Sequence, residues 1–202
     1  MAENNLTDKM RLESWDNSFY SFGTAYIFNK RAQRFSAYVN LLKVFGIVVP
    51  VTVGATAIGY GMDSSLLKLV INLAIPLSIL QLMISVLAVI YKWDDELAYS
   101  YESSNAHSYY FQEFKLIGNL PITDENELKR KFDVLVAKLQ SRAEQDDKHY
   151  IKEWENRMGM KYSLRQHQKK CVGCDEIPVS MNSTNCYICG KYDNFTTKIF
   201  RL

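Results

Sequence analysis

The chain has 202 residues, and its 24 Lys or Arg against 22 Asp or Glu leave a formal net charge of +2. This near balance argues against a protein that mainly coats nucleic acid, and nine Gly with four Pro are too few for a disordered or collagen-like chain. The mean hydropathy of −0.18 hides a segregation, because the long uncharged apolar runs all lie within residues 44–91. A soluble globular domain spreads its apolar residues more evenly, so that class is excluded.

Residues 1–40 are predicted to form an N-terminal cytoplasmic helix that leads almost directly into a membrane span. Gly23 weakens this helix slightly. The apolar positions expected on it are Leu12, Trp15, Phe19, Phe22, Tyr26 and Phe35. Basic residues at the ends of the predicted spans are expected to meet lipid headgroups: Lys30, Arg31, Arg34, Lys43 and Lys92.

Residues 41–92 are predicted to form a transmembrane hairpin with spans at about 44–62 and 69–91. Both runs lack charged residues, and a bilayer core of about 30 Å needs about 20 apolar helical residues. Buried core helices are the less favoured alternative, because they usually carry a polar face. A cleaved signal peptide is disfavoured by the long charged segment ahead of the first run. The short connection makes the spans antiparallel, and the flanking basic residues predict a multi-pass inner-membrane protein with both termini cytoplasmic.

Small and polar residues recur at helical spacing within both spans. A Gln amide facing lipid is costly, so the face of the second span that carries Gln81 should meet protein or water. Two interpretations remain open: helix packing within one hairpin, or an oligomer interface or pore wall. The candidates are Thr52, Thr56, Gly59, Ser78, Gln81 and Ser85.

Residues 93–160 are predicted to form a cytoplasmic helical hairpin. Gly118 and Asn119 ahead of Pro121 form a helix stop, and Thr123 can cap the next helix. An apolar seam on that helix repeats at steps of four, three and four, formed by Leu128, Phe132, Leu135 and Leu139. The simplest assembly adds the N-terminal helix as a third member, with the aromatic residues in the core. A small-molecule pocket is the alternative reading of the aromatic residues.

Residues 161–202 are predicted to form a basic linker and a small zinc ribbon. The basic stretch is expected to be a solvated linker, with contact to anionic lipid or nucleic acid as the alternative. The basic stretch ahead of the cysteines begins shortly before residue 161 and consists of Arg157, Lys161, Arg165, His167, Lys169 and Lys170.

Two CxxC pairs give the most specific pattern in the chain. Eleven residues separate the pairs, which are formed by Cys171, Cys174, Cys186 and Cys189. Two such turns can supply a tetrahedral thiolate shell for structural zinc, with no open position for catalysis. Iron in a rubredoxin-like site, disulfides and a catalytic dithiol are weaker alternatives. Disulfides are disfavoured because the predicted cytoplasmic compartment is reducing.

No nucleotide-binding, hydrolase or metalloprotease motif is found, so the chain is not expected to be an enzyme. The predicted fold class is an all-α membrane protein: a two-helix transmembrane hairpin with a cytoplasmic helical bundle and a C-terminal zinc ribbon.

Closely spaced spans followed by a helical hairpin resemble the SLATT superfamily of two-helix membrane effectors. The cysteine spacing resembles its mobilome-associated CxxCx(11)CxxC subgroup. The resemblance implies an effector of bacterial conflict or anti-phage systems, which oligomerises and forms a pore or perturbs the membrane. It also implies a trigger from a nucleotide second messenger or a partner sensor protein.

Two other functions are weighed against this one. In the first, the chain is a non-enzymatic anchor whose zinc ribbon and basic linker hold a partner protein or nucleic acid at the membrane. In the second, the paired cysteines serve a membrane thiol oxidoreductase, which tightly held zinc would contradict.

Overall fold

The computed structural model describes residues 2–119 and 125–192, with side chains from Thr7 onward. Five α-helices follow one another: α1 (Ala2–Tyr60), α2 (Ser65–Ile90), α3 (Trp93–Asn119), α4 (Glu125–Asp146) and α5 (Glu153–Gln166). A single 3₁₀ turn, Asp147–His149, follows α4. The described residues contain no β-strand. An all-helical chain is therefore confirmed, whereas Pro121 and Thr123 of the predicted stop and cap lie outside the described residues.

The chain divides into two compact units, with boundaries at Arg31 and Tyr99. Among the described residues, the bundle unit contains 2–31, 99–119 and 125–192, and the hairpin unit is Ala32–Ala98. Because α1 is one continuous helix of 59 residues, no break separates the predicted cytoplasmic helix from the first span. The division into two units falls between Arg31 and Ala32 along this helix.

The hairpin unit contains two helices that are long and apolar enough to cross a membrane. The first ends where Gly61 adopts a left-handed conformation (φ 81°), which glycine accepts without strain. The second begins at the cap residue Ser64, whose hydroxyl accepts a hydrogen bond of 3.1 Å from the Leu67 N–H. Only 6% of each apolar window is buried within the chain. These helices are therefore not core helices of a soluble bundle, which are mostly buried.

The bundle unit has its apolar core between α1, α3 and α4. Met10 of α1 packs with Tyr110, Phe114 and Ile117 of α3 and with Leu128, Phe132 and Leu135 of α4. Leu139 is partly buried at the edge of the same cluster. The seam predicted on α4 is thus confirmed, as is the N-terminal helix as a third member of the bundle.

The contact between α1 and α3 includes buried serines as well as aromatic residues, since the ring of Phe22 lies 4.7 Å from that of Phe111. Ser14, Ser18 and Ser21 are buried on α1, whereas Leu12 is 67% exposed. The Ser18 hydroxyl donates to the Phe111 carbonyl at 3.1 Å. Small side chains leave room for two helix backbones to approach closely, although of these three serines only Ser18 has a hydrogen-bonded hydroxyl. Leu12, one of the apolar positions predicted on this helix, therefore lies on its exposed side.

A glycine crossing joins α1 to α5. A Cβ atom on Gly23 would lie 3.0 Å from the Gly159 carbonyl oxygen, and one on Gly159 would lie 2.8 Å from the Gly23 carbonyl oxygen. The Ser163 hydroxyl donates to the Phe19 carbonyl at 3.0 Å beside the crossing. Gly23 therefore serves helix packing, and its cost to helix propensity is offset by close contact.

The helix α5 corrects the predicted solvated linker. Residues 161–166, expected in that linker, belong to α5, and Lys161 is only 3% exposed. Arg157 pairs with Glu153 one turn earlier at 2.7 Å. The ring of His167 lies against Phe19 and Phe22. Lys161 and His167 therefore face their own chain, whereas Lys169 and Lys170 are exposed.

Candidate metal centre

The four cysteines of the two CxxC pairs converge on one point. Their sulfur atoms all lie within 4.8 Å of one another. The Cys171 and Cys186 sulfurs are 3.8 Å apart, and the Cys174 and Cys189 sulfurs are 3.9 Å apart. A tetrahedral shell with Zn–S bonds of about 2.3 Å has edges of about 3.8 Å. The arrangement therefore fits a four-thiolate metal ion, and these separations are far too long for disulfides, whose S–S bond is about 2.05 Å.

Each pair is folded as a turn that points backbone N–H groups at its first sulfur. The Gly173 N–H donates to Cys171 Sγ at 3.4 Å, and the Ile188 N–H donates to Cys186 Sγ at 3.4 Å. Both turns are thus built alike. Such hydrogen bonds stabilise the thiolate, which is the form that binds a metal.

Close packing explains the glycine that follows the second pair. A Cβ atom on Gly190 would lie 2.3 Å from the Thr184 carbonyl oxygen, so any larger residue would push the chain apart. The Lys191 N–H donates to that same carbonyl at 2.7 Å. In the first turn, the Asp175 N–H donates to the Cys171 carbonyl at 2.8 Å. Both turns are therefore closed by backbone hydrogen bonds as well as by their sulfur atoms.

The thiols differ in acidity because they differ in hydrogen bonding and burial. Backbone N–H donation from Cys189 outweighs burial and, with Ile188, lowers the pKa of the Cys186 thiol to about 7. Burial, together with the neighbouring thiols, raises the pKa of Cys189. A metal ion must therefore displace a proton from Cys189, so binding should release protons and strengthen as the pH rises.

The cysteine cluster packs against the helical bundle. Cys171 and Cys189 are buried in one apolar cluster with Phe19 of α1 and Leu164 of α5, and Met160 packs at its edge. The sequence predicted the ligands but not this contact surface. The cysteine cluster therefore packs against α1 and α5 instead of forming a free C-terminal appendage.

The structure separates the five basic residues predicted at lipid headgroups. Arg31 is 7% exposed. Its Nη2 lies 2.5 Å from a Glu155 carboxylate oxygen, and its Nη1 donates to the His149 carbonyl at 2.7 Å. Arg31 is therefore committed to an internal ion pair, and the headgroup prediction for it is corrected. Of the other four, Lys30, Lys43 and Lys92 are exposed and Arg34 is half-buried.

The predicted pore-lining residues occupy different surroundings. The Thr52 hydroxyl donates to the Val48 carbonyl at 2.7 Å, and the Thr56 hydroxyl donates to the Thr52 carbonyl at 2.8 Å. The Gln81 amide lies beside Gly46, where an added Cβ would be 3.0 Å from Nε2. Thr56 is buried, Gln81 and Ser85 are half-buried, and Thr52, Gly59 and Ser78 are exposed.

A buried carboxylate that the sequence did not point to joins α3 to α4. Asp146 accepts hydrogen bonds from Tyr99 at 2.6 Å and Ser103 at 2.7 Å, and it lies 2.6 Å from Nε2 of His107. Arg142, 6% exposed, approaches it at 3.3 Å. These residues are distant in sequence and of common types. The one signal available in the sequence is the spacing of four between Ser103 and His107, which places them on one helix face.

Comparison with known families agrees with the cysteine spacing. The family model of the mobilome CxxCx(11)CxxC proteins matches residues 11–192, which include both CxxC pairs and all five helices except the first turns of α1. No curated protein and no solved structure matches the chain significantly. The chain therefore belongs to the family of mobilome CxxCx(11)CxxC proteins.

Proposed function

We propose that the chain is a membrane effector of a mobile genetic element, acting in bacterial conflict or defence against phage as SLATT-type proteins are thought to act. In this proposal the hairpin unit inserts into the inner membrane with both termini cytoplasmic. A cytoplasmic signal, a nucleotide second messenger or a partner sensor protein, then causes the chains to oligomerise and to form a pore or perturb the bilayer.

The exposure of the apolar helices is the observation that carries this proposal. Ile58 and Val89 are 89% and 78% exposed, and the large apolar side chains of α2 are exposed around the helix. Burying such side chains in hydrocarbon stabilises each by about 1.5–3 kcal/mol. An aqueous monomer would forfeit this term along two whole helices.

Small residues on α1 support oligomerisation within the membrane. An added Cβ atom on Gly54 or Gly59 would meet no atom of the chain within 4 Å. Glycines in membrane helices allow the close approach of a neighbouring helix. Gly59 is thus open to a second copy, in contrast to Gly46, which lies against Gln81.

The test is induction of the full chain in bacteria, with membrane potential and dye entry as readouts. The wild type should sediment with membranes, resist alkaline extraction and depolarise the cells. Gly59→Leu should reduce depolarisation at least tenfold, while Ile58→Leu, a volume-conserving change on the adjacent residue, should not. If cells keep a normal membrane potential while the wild-type protein resists alkaline extraction from their membranes, the pore is contradicted. If the wild-type protein is recovered in the soluble fraction, membrane insertion is contradicted.

The anchor function is kept as a second candidate because of exposed apolar residues around the cysteine cluster. Val172, Val179 and Tyr187 are 92%, 87% and 73% exposed. A partner protein or nucleic acid held at these side chains would need the spans only as a tether. Replacing residues 41–92 with an unrelated two-helix hairpin should then preserve the cellular phenotype, whereas the same replacement should abolish a pore.

Zinc is the metal that we propose for the cysteine cluster, in a structural role. Four thiolates favour zinc or iron, and a closed four-ligand shell leaves no position for substrate. The ion would stabilise a segment that has few apolar residues of its own, as in other small metal-dependent folds.

A further inference from the structure

We propose that Lys161 and Tyr192 form a clasp that holds the segment between the two CxxC pairs in its bound conformation, and that they are positioning residues for the metal centre. The inference rests on the proposed metal. It adds two side chains outside the cysteine motif that decide how tightly the motif binds.

The first part of the clasp is a buried lysine on α5. Lys161 is 3% exposed, and its ammonium donates a hydrogen bond to the Asn182 carbonyl. The same ammonium lies 5.8 Å from the centre of the Tyr192 ring. Burying an ammonium is unfavourable unless polar or aromatic groups compensate it. Here both compensating groups belong to the segment around the second CxxC pair.

The second part is a tyrosine that ties the two flanks of that pair together. Tyr192 is 2% exposed. Its hydroxyl donates to the Met181 carbonyl at 2.6 Å, and its backbone N–H donates to the Ser183 hydroxyl at 3.1 Å. Residues just before Cys186 are thereby joined to a residue just after Cys189.

One helix therefore positions both CxxC pairs. Leu164 and Met160 of α5 pack against the cysteine cluster, while Lys161, between them in sequence, holds the Asn182 carbonyl. Closing a flexible loop costs conformational entropy. If the clasp has already closed the loop, less of the metal's binding free energy is used to order the chain, and the affinity is higher.

The experiment measures metal affinity of the full chain in detergent. Co²⁺ is titrated first, because four-thiolate Co²⁺ gives charge-transfer and d–d absorption, and Zn²⁺ then competes against a chromophoric chelator. Lys161→Met keeps the apolar stem but removes the donor, and should weaken affinity at least about tenfold, the range seen for residues that support metal ligands. Tyr192→Phe should weaken it by a smaller factor, and Lys161→Arg should restore part of the loss.

The matched control is Lys170→Met. Lys170 precedes the first cysteine and pairs with the exposed Asp175 at 3.2 Å, so its replacement should leave the affinity unchanged. Circular dichroism of the metal-free variants should show unaltered helix content. If Lys161→Met lowers helix content, Tyr192→Phe decides the question, because it removes a single hydroxyl.

Two outcomes overturn the inference in different ways. Wild-type affinity in both Lys161→Met and Tyr192→Phe would exclude the clasp and leave the metal centre standing. A wild-type chain that gives no cobalt absorption and retains no zinc would overturn the metal centre itself, and the clasp with it.

Discussion

The bundle unit and the hairpin unit place their apolar and charged side chains in opposite ways. In the bundle unit, Phe28 and Phe114 are 0% exposed, and even Arg31 is buried on a carboxylate. In the hairpin unit, Ile58 and Val89 face outward, and the hydroxyls of Thr52 and Thr56 bond to the backbone of their own helix. One unit buries its apolar side chains, as proteins folded in water do, and the other exposes them on helices long and apolar enough to cross a membrane.

The comparison teaches that buried polarity is a better guide than overall hydropathy to the solvent of each unit. In the bundle the buried carboxylate of Asp146 has hydrogen-bond partners on α3, although the hydroxyls of Ser14, Ser21 and Ser100 are buried without one. In the hairpin the apolar side chains need no partner within the chain. Four predictions test how far this contrast extends.

Replacing two ligands should have the largest effect. In Cys171→Ser with Cys189→Ser, two hard hydroxyls replace thiolates, and metal content should fall from one ion per chain to none. The segment after α5 should then become sensitive to protease, since metal binding supplies its folding free energy. Helix content should persist, because the core around Phe114 and Phe132 does not involve the cysteines. Full metal retention, by elemental analysis, would contradict the assigned ligands.

Asp146→Asn should produce the next largest effect. The change removes the charge that Tyr99, Ser103 and His107 face, and breaking a buried ion pair typically costs about 3–5 kcal/mol. The free energy of unfolding is measured by urea titration in detergent. Asp147→Asn is the matched control, because the adjacent side chain is exposed and should change stability by less than about 0.5 kcal/mol. Equal effects of the two changes would show that the network contributes nothing specific.

The same carboxylate should make stability depend on pH in the acid range. Burial alone would raise the pKa of Asp146, but hydrogen bonds from His107, Tyr99 and Ser103 outweigh it and hold the pKa below the ordinary 3.8. A lowered folded-state pKa gives stabilisation that is fully present above the unfolded pKa and is lost as the pH falls through the folded pKa. Wild type should therefore lose stability below about pH 4. The Asp146→Asn variant should lose less stability over this pH range. If stability falls with pH equally in wild type and variant, Asp146 is not the source of the pH dependence.

Replacing one glycine of each unit by alanine should change the free energy of unfolding least. The change should be destabilising in the bundle unit and stabilising in the hairpin unit. In Gly159→Ala the new Cβ would meet the Gly23 carbonyl at 2.8 Å, and overpacking of this kind costs about 1–3 kcal/mol. In Gly59→Ala no atom lies within 4 Å, so the gain in helix propensity, at most about 1 kcal/mol, should dominate. Thermal unfolding in detergent measures both, and destabilisation by Gly59→Ala would reveal a contact, either within the chain or with the second copy proposed to pack there.

Local patterns were sufficient to predict the helices and the metal ligands. The charge-free runs predicted α2 and the later part of α1, because a membrane-spanning length is a property of one segment. The seam of Leu128, Phe132 and Leu135 was visible for the same reason, since helical periodicity is local. The cysteines could be predicted because their spacing alone brings the thiols together.

Contacts between distant segments could not be predicted in this way. Arg31 was assigned to headgroups because its partner Glu155 lies 124 residues away. The basic stretch was read as a linker because nothing local shows that Gly159 fits against Gly23.

The glycine crossing has a consequence for how the protein is made. Phe19 and Ser163, which bond beside that crossing, are 144 residues apart, so the ribosome delivers both apolar helices before the partner of the early part of α1 exists. Domains assemble as their parts emerge during synthesis. The contact between α1 and α5 can therefore form only after both apolar helices have been synthesised and translation has nearly finished.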